Sequence, residues 1–271
     1  MRLIAITSQK GGVGKTTIAL NLAYALAKRG RMTLLVDCDP QGSIGLSLSP
    51  QAAARNRLSE VIEGVVGLDK AILATRMPEL RILTVGRPSP MQTIRWNDVM
   101  SDGMILHEVF AAAAQMGVDT LIADTPAGMC GPTLGVLRNA DYAVIPQQAE
   151  PLALRSTIAF LEAIAHLRDE GHRLAIAGMI LTMLQVEQQE SVGVFHEVSK
   201  LFPSHFLFGT IIPRHPLILQ ASAKGVPLGL LTKTPPALAQ AFDQLAAELE
   251  IRASLNAGQE EAASDVVPVM D

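Results

Sequence analysis

Three glycines and two lysines lie close together near the amino terminus, in the segment SQKGGVGKTT (residues 8–17). Glycines allow a backbone to approach a phosphate closely and to point its N–H groups at the oxygens. A lysine and a hydroxyl residue directly after the last glycine, Lys15 and Thr16, can contact the β- and γ-phosphates and a Mg²⁺ ion. This combination of residue types predicts a phosphate-binding loop.

The loop departs in two ways from the common pattern G-x-x-x-x-G-K-[ST]. Counted back from Gly14, the first glycine of that pattern would fall at position 9, which is Gln9. In addition, Lys10 places a second cation before the glycines. Because Lys15 already serves the loop of its own chain, Lys10 needs a separate explanation.

Carboxylates follow two apolar runs, in VDCDPQGS (36–43) and in DTLIADTPAG (119–128). Asp37 and Asp39 belong to the first segment and Asp124 to the second. Open α/β sheets bind ligands at the carboxyl ends of their strands, so these carboxylates are candidates for a metal or water site. For Asp37 and Asp39 the residues alone leave a second interpretation open, a helix cap and a solvent contact.

The elements that must position these residues are buried strands that alternate with helices. The apolar runs predicted as strands are residues 3–7, 32–37, 81–86, 120–124, 142–146, 174–182 and 207–213. Helical patterns cover residues 17–30, about 104–116, 156–171 and 236–255. Continuous apolar strands are covered on both faces, as in a parallel sheet. We therefore predict an α/β fold: a single domain with a mostly parallel twisted sheet and helices on both faces, of the P-loop type.

Composition limits the possible classes of protein. The chain has 271 residues, of which 49% are hydrophobic, and a net charge of −4. A constitutive nucleic-acid binder is more often basic, so DNA contact would need a local patch or an assembled dimer. The two cysteines imply no disulfide framework and suggest a reducing cytoplasm. We expect no signal peptide and no transmembrane span.

The chain divides into residues 1–254, predicted to be one domain that contains the phosphate-binding loop, and residues 255–271, an acidic tail predicted to be disordered. A membrane-binding tail would need basic residues on one face and bulky apolar residues on the other. The negative charge of this tail argues against that alternative.

The spacing KGGVGKTT resembles the deviant Walker A loop of the ParA/MinD family of dimerising ATPases, and the resemblance extends to about residue 250. VDCDPQGS is similar to the family's D-x-D-P-Q-G segment, and DTLIADTPAG to its Walker B element. The resemblance implies ATP or ADP with Mg²⁺ as ligands and an ATP-dependent homodimer. It also explains the second lysine: Lys10 would reach the nucleotide of the other subunit and neutralise charge on the transferred phosphoryl group.

The resemblance also assigns roles to single residues. Lys10, Lys15 and Asp39 would be catalytic, with Asp39 orienting the attacking water. Mg²⁺ would be held by Thr16, Asp37 and Asp124, directly or through water. The nucleotide would be bound by Gly11, Gly12, Val13, Gly14, Lys15, Thr16 and Thr17, with Thr182 and Pro213 beside the adenine. An ordinary strand-end position is an alternative for each of the last two.

ParA proteins of the partition type bind DNA non-specifically as ATP dimers, and an adaptor of the ParB kind stimulates a slow hydrolysis. The resemblance thus implies a bacterial, cytoplasmic, nucleoid-associated switch that segregates or positions cargo. The basic residues that could form a DNA-binding stripe are Arg155, Arg173, Lys200, Arg214 and Lys224. Two positions depart from the family pattern: Ala127 replaces a proline, and Leu217 replaces the second arginine of I-P-R-N-x-R.

Two enzymes on the same scaffold are alternatives. Nitrogenase-type iron proteins also have such loops and bridge an iron–sulfur cluster with two cysteines from each subunit. Cys130 falls near one such position, but residues 85–100 contain no cysteine and Cys38 lies elsewhere. An ATP-dependent synthetase would need a further set of His, Cys or acidic residues, which the sequence does not show. The six histidines have no metal-ligand spacing.

Overall fold

A single twisted sheet forms the centre of the computed structural model, which describes residues 1–46, 57–86 and 88–264. The strands are β1 (Arg2–Ile6), β2 (Thr33–Asp37), β3 (Leu73–Ala74), β4 (Leu80–Leu83), β5 (Thr120–Asp124), β6 (Tyr142–Gln148), β7 (Ala175–Leu184) and β8 (Ile212–Pro213). Their order in the sheet is β3-β4-β2-β5-β1-β6-β7-β8. Every neighbouring pair is parallel except β3 with β4. The predicted mostly parallel sheet is confirmed.

Helices connect the parallel strands and cover both faces of the sheet. They are α1 (Lys15–Lys28), α2 (Ser43–Leu46), α3 (Leu58–Ile62), α4 (Leu68–Ala71), α5 (Pro90–Ser101), α6 (Met104–Gln115), α7 (Gly131–Asn139), α8 (Pro151–Asp169), α9 (Gln189–Leu201), α10 (Pro216–Lys224) and α11 (Ala239–Ser264). Short 3₁₀ turns occupy Ser204–Phe206 and Leu228–Leu230. Within the described residues, none of the helices combines the length and apolarity that crossing a bilayer requires.

The apolar strands separate two hydrophobic cores because successive side chains of a strand point to opposite faces. In β1, Ile4 and Ile6 pack in a core with residues of α1 and α11, whereas Leu3 and Ala5 pack in a core with α5, α6, α7 and α8. All four side chains are almost fully buried. This two-sided burial explains why the strands have no alternating polar residues, as the sequence indicated.

The last helix packs through the apolar stripe predicted from the sequence. Phe242, Leu245 and Leu249 lie in the same core as α1, and Leu238 packs against that core just before α11 begins. Arg29 and Arg31 at the end of α1 both bind the carboxylate of Glu250 at 2.7 Å. The helix is therefore fixed to α1, and it also bonds to the sheet directly, through Tyr142 Oη to the Ala253 carbonyl and Arg252 Nη1 to the Ala177 carbonyl.

Several elements differ from the sequence prediction. Most of residues 207–213 is not a strand, because only Ile212–Pro213 pairs with β7 and Leu207 forms an isolated bridge. The helices α5, α7, α9 and α10 were not predicted. For α5 a local signal exists: Ser89, directly before Pro90, forms a capping box with Gln92, three residues further on. Its apolar spacing is weak because only Trp96 and Met100 of this helix are buried.

The predicted boundary at residue 254 lies inside α11, which continues to Ser264. The tail was predicted from its acidic and small residues, and its disorder stays a prediction. Residues 265–271 of the predicted tail lie outside the described residues.

Candidate functional site

The glycine-rich loop connects the carboxyl end of β1 to the first residue of α1. Gly12 and Gly14 have φ angles of 78° and 94°, a region that favours glycine, and Gly14 is the N-cap of α1. The loop therefore turns sharply and ends at the amino end of a helix, where free N–H groups attract anions. This is the local geometry that the sequence predicted for a phosphate site.

Lys15 is nearly buried and lies across the loop. Its Nζ donates to Ser8 Oγ at 3.2 Å and to the Lys10 carbonyl at 3.3 Å. Burial lowers the pKa of the Lys15 ammonium, while the charges of Asp124 and Asp39 oppose that shift. A buried ammonium held by two neutral oxygens has no direct anionic partner in the loop, so a bound phosphate would complete its surroundings.

Two carboxylates face each other at the carboxyl ends of β2 and β5. Asp37 and Asp124 are paired in the parallel register and both are fully buried. Asp37 accepts N–H donors from Asp39 and Ile44, each at 3.2 Å. Burial, reinforced by the charge of Asp124, raises the pKa of Asp37 well above its usual value.

Asp124 differs because neither of its carboxylate oxygens has a hydrogen-bond partner among the described residues. Burial raises the pKa of Asp124 to about 7, although the nearby Thr16 hydroxyl and the Lys15 charge lower it. Leaving a buried carboxylate unpartnered costs free energy unless a cation or its water shell compensates. Thr16 and Asp124 thus fit a hard cation such as Mg²⁺.

No group of three or more His, Cys, Asp or Glu side chains in the described ranges could hold a metal by itself. This agrees with a Mg²⁺ site of the phosphate-loop kind, because Mg²⁺ keeps several waters and takes further oxygens from the phosphates. The residues present therefore fit Mg²⁺ bound together with a nucleotide.

A cavity of about 650 Å³ lies beside the loop at the carboxyl edge of the sheet. Its lining residues are Gly11, Gly12, Gly14, Lys15, Thr16, Thr17, Asp39, Pro40, Gln41, Ser43, Thr93, Asn97, Pro126, Ala127, Cys130, Pro132 and Met183. Asp39 reaches this cavity on a turn in which its Oδ1 accepts the Gln41 N–H at 2.9 Å. Most of the predicted loop residues and Asp39 therefore meet in one place.

Lys10 does not line this cavity, and its amine binds within its own chain. The Nζ atom lies 2.9 Å from Glu150 Oε2, and the two side chains are 35% and 50% exposed. Glu150 also accepts from Gln148 Nε2 at 2.7 Å. The role of Lys10 in a second subunit stays a prediction, and the pair with Glu150 was not foreseen from the sequence.

Thr182 and Pro213, predicted to border an adenine, line a second and smaller cavity of about 80 Å³. Thr182 donates to the Val13 carbonyl at 2.9 Å and so ties the end of β7 to the loop. Val13 itself is buried behind the loop. The structure places these residues next to the phosphate cavity, and their contact with a base stays a prediction.

The five basic residues considered for DNA binding are all exposed, but the fold divides them. Arg155 follows the carboxyl end of β6 and Arg214 follows that of β8, so both lie at the edge that bears the cavity. Arg173 precedes β7 and Lys200 is the last residue but one of α9, both at the opposite edge, and Lys224 ends α10. The five residues do not form one continuous stripe on a single chain, because helices return the chain to the other edge of a parallel sheet; a stripe across a dimer stays a prediction.

The structure gives no support to a cysteine-ligated cluster. Cys38 is completely buried, which raises the pKa of its thiol, and Cys130 is a partly buried N-cap residue whose Sγ lies 3.5 Å from Thr133 Oγ1. Both cysteines are free thiols. We expected Cys130 to be a packing residue. The structure also places it in the wall of the cavity.

Sequence reasoning missed cavity residues that lie on unpredicted elements. Thr93 and Asn97 enter the wall on α5, and Asn97 Oδ1 accepts the Gly131 N–H at 2.8 Å. The capping box before α5 could have located that helix. Met183 was also missed, and no sequence pattern indicates its unusual backbone conformation.

The site combines a buried lysine on a glycine-rich loop with an unpartnered carboxylate at the end of the neighbouring strand β5. This combination defines an α/β protein of the P-loop nucleotide-binding class. A family model described as an AAA domain matches residues 1–176. The chromosome partitioning protein ParA of Caulobacter vibrioides is 31% identical over 256 residues, which cover 92% of this chain and 94% of that protein. The chain belongs to the ParA/MinD family, whose members are ATP-hydrolysing P-loop proteins.

Two solved structures show how widely the fold is shared. The septum site-determining protein MinD of Pyrococcus horikoshii, complexed with Mg-ADP, has a TM-score of 0.73 and 26% identity, covering 94% of this chain and 98% of its own. Cobyrinic acid a,c-diamide synthase of Mycobacterium smegmatis, with an ATP analogue and magnesium, has a TM-score of 0.74 and 26% identity, covering 91% and 93%. Since a synthetase shares the fold, the sequence relatives separate the two classes, and they favour a partition or positioning ATPase.

Proposed function

We propose that this protein is an ATP-dependent, dimerising switch that hydrolyses ATP to segregate or position an intracellular cargo. The single observation that carries the proposal is that a buried ammonium, Lys15, in the wall of a cavity of about 650 Å³ and a buried carboxylate without a hydrogen-bond partner, Asp124, lie at the same edge of the sheet. A buried cation for phosphates and a buried carboxylate for Mg²⁺ are the two charges that nucleotide hydrolysis needs. The similarity to the chromosome partitioning protein ParA supports segregation or positioning of a cargo as the process that the ATPase drives.

In this proposal the loop amides from Gly11 to Thr17 and the Lys15 ammonium bind the phosphates of ATP. The Thr16 hydroxyl and the Asp124 carboxylate would hold Mg²⁺, and Asp37 would support its bound water. When bound, Mg²⁺ neutralises negative charge on the phosphates. Asp39, held by the Gln41 N–H in the cavity wall, orients the water that attacks the γ-phosphate.

The second lysine gives the reason for dimerisation. Lys10 does not line the cavity of its own chain and its side chain is 35% exposed, so its amine is available to a second chain. An exposed ion pair such as Lys10–Glu150 contributes about 0–1 kcal/mol, and a triphosphate is a stronger partner for the amine. Hydrolysis is then slow in the single chain, because charge neutralisation is complete only in the dimer.

The dimer would bind DNA through phosphate contacts that need cations and no base reading. Arg155 and Arg214 are the supporting residues, because both are exposed at the edge that carries the nucleotide cavity. An adaptor of the ParB kind would stimulate hydrolysis and release the dimer from DNA. The protein would thus act in the cytoplasm, on the nucleoid.

Light scattering coupled to gel filtration, with Mg-ATP or Mg-ADP, tests the switch. We expect the parent protein to form a transient dimer with ATP alone, and Asp39→Ala to accumulate that dimer because water activation is lost. An electrophoretic shift of random-sequence DNA should follow the dimer. If Asp39→Ala remains a monomer with saturating ATP, the dimerising switch is refuted; if it dimerises without shifting DNA, the DNA-binding part alone is refuted.

A further inference from the structure

The backbone of Met183 adopts a conformation that methionine rarely takes. Its φ is 56°, and it is the one non-glycine residue with a positive φ in the described part of the chain. The pairing of β7 with β8 shifts register between Thr182 and Leu184, so Met183 is an extra residue in that strand pair. Strain of this kind persists where neighbouring contacts fix the backbone, and it is frequent at ligand sites.

Both neighbours of Met183 are fixed. Thr182 donates through Oγ1 to the Val13 carbonyl at 2.9 Å, and its own carbonyl accepts the Ala149 N–H at 3.1 Å. The Leu184 carbonyl accepts the Arg214 N–H at 3.1 Å. These bonds hold β7 against the phosphate loop on one side and against β8 on the other, so Met183 cannot relax without breaking one of them.

The side chain of Met183 lies between the two cavities. Met183, Gly14 and Thr17 line both the cavity of about 650 Å³ and the cleft of about 80 Å³ next to Thr182 and Pro213. A Cβ placed on Gly14 would lie 3.8 Å from the Met183 Cε, which shows how closely the thioether approaches the loop. The methionine is only partly buried, so one side of it faces open space.

The cleft is too small for a nucleobase as it stands, because ligand pockets measure about 300 Å³ or more. A nucleoside that extends from the phosphate cavity toward Thr182 must therefore pass the Met183 thioether. Methionine is unbranched and turns about three side-chain bonds, so it can move aside and then pack against a ring. A β-branched residue could not do this at the same position.

We propose that Met183 is a nucleoside-binding residue of this site. Its strained backbone holds the thioether between the phosphate cavity and the cleft, and the side chain turns to pack on the base and ribose when a nucleotide binds. The inference rests on the proposed nucleotide site. It adds that Met183 contributes to binding of the nucleoside and not to binding of the phosphates.

The test compares Met183→Gly and Met183→Leu with the parent protein, using calorimetric titration with Mg-ADP and with tripolyphosphate. Met183→Gly removes the side chain and accepts the positive φ. We expect this substitution to lower the affinity for Mg-ADP by about tenfold, as for the loss of one buried apolar side chain, and to leave the affinity for tripolyphosphate unchanged. Met183→Leu keeps most of the apolar volume, so it should lower the affinity for ADP less than Met183→Gly does.

Thermal unfolding without ligand gives the second measurement. Met183→Ala is the control, because both variants lose the side chain beyond Cβ and only alanine keeps the strained φ. Met183→Gly should have a Tm equal to or above that of Met183→Ala, and a lower Tm would refute the stored strain. Equal ADP affinity in the parent and Met183→Gly would refute nucleoside binding by Met183. An equal loss of affinity for ADP and for tripolyphosphate would refute it as well. A parent protein that binds neither ligand would instead refute the proposed nucleotide site itself.

Discussion

Lys10 and Lys28 provide a comparison at the scale of single residues. Each amine forms an exposed ion pair at 2.9 Å, Lys10 with Glu150 and Lys28 with Asp243. The two pairs are alike in geometry and exposure, but Lys10 belongs to the phosphate loop and Lys28 ends α1. A difference between their alanine variants therefore measures the position of the lysine rather than the loss of a surface ion pair.

We predict that Lys10→Ala retains ATP binding and loses ATP hydrolysis. The ammonium is absent from its own cavity wall, so its removal leaves the phosphate contacts of Lys15 in place. Fluorescent-nucleotide titration and phosphate release measure the two properties. Lys28→Ala is the matched control and should hydrolyse ATP like the parent. Equal turnover in Lys10→Ala and the parent would contradict a catalytic role in a second subunit.

Asp124 gives a prediction about pH. Burial raises its pKa from the usual value of 3.8 to about 7, so the folded protein binds this proton more tightly than the unfolded chain. The stabilising effect of the bound proton is complete below about pH 4 and is lost as pH rises through 7. The three-unit shift corresponds to at most about 4 kcal/mol of the free energy of unfolding.

The measurement is Tm against pH from 5 to 8, without Mg²⁺ or nucleotide. Asp124→Asn removes the titration, so its Tm should fall less over this range than the Tm of the parent. Asp37 is also buried, and the charge of Asp124 contributes to its raised pKa, so the difference between the two curves reports the coupled titration of Asp37 and Asp124. Parallel curves would show that Asp124 does not titrate in this range.

At the scale of elements, glycines set the distance between α5 and α7. A Cβ on Gly131 would collide with the Asn97 carbonyl oxygen, and one on Gly135 would collide with the Met100 carbonyl oxygen. Both acceptors are backbone atoms of α5, which cannot turn aside as a side chain can. Since α5 carries Thr93 and Asn97 into the cavity wall, this helix contact positions part of the site.

We predict that Gly135→Ala destabilises the protein by about 1–3 kcal/mol, as overpacking does in a closely packed interior. Gly193→Ala in α9 is the matched control, because no atom lies within 4 Å of its added Cβ. An alanine there should stabilise the protein by about 0.5–1 kcal/mol through helix propensity. Urea unfolding measures both free energies, and equal effects of the two substitutions would contradict a tight α5–α7 contact.

At the scale of the whole molecule, the question is which edge of the sheet faces DNA. Arg214 lies at the carboxyl edge and Arg173 at the amino edge, and both are exposed. We predict that Arg214→Glu weakens ATP-dependent DNA binding and reduces its salt dependence, because one phosphate contact is lost. Arg173→Glu carries the same charge change and should bind DNA more like the parent.

An electrophoretic shift at several salt concentrations measures this difference. Arg214 also lines the small cleft, so ATP-dependent dimerisation of Arg214→Glu must be measured alongside. A variant that dimerises normally and loses DNA binding places the DNA surface at the carboxyl edge. A stronger effect of Arg173→Glu would move it to the amino edge, and equal binding by both variants and the parent would exclude both arginines.

The sequence by itself determined the mostly parallel sheet, the phosphate loop and the position of the carboxylates at strand ends. This was possible because strands buried on both faces are continuously apolar, and because glycines, Lys15 and Asp124 act through local geometry at strand ends. Residues 207–213 were misjudged as one strand, since an apolar run can pack without pairing. The boundary predicted at residue 254 falls inside α11.

Tertiary structure alone decided which distant residues meet. The Lys10–Glu150 pair joins residues far apart in the chain, and Thr182 reaches the Val13 carbonyl across the sheet. The opposite edges of Arg173 and Arg214 follow from the helical connections between parallel strands. The positive φ of Met183 depends on hydrogen bonds made by its neighbours to three other segments. Such contacts depend on packing and not on local residue preference, so no periodicity or spacing could have revealed them.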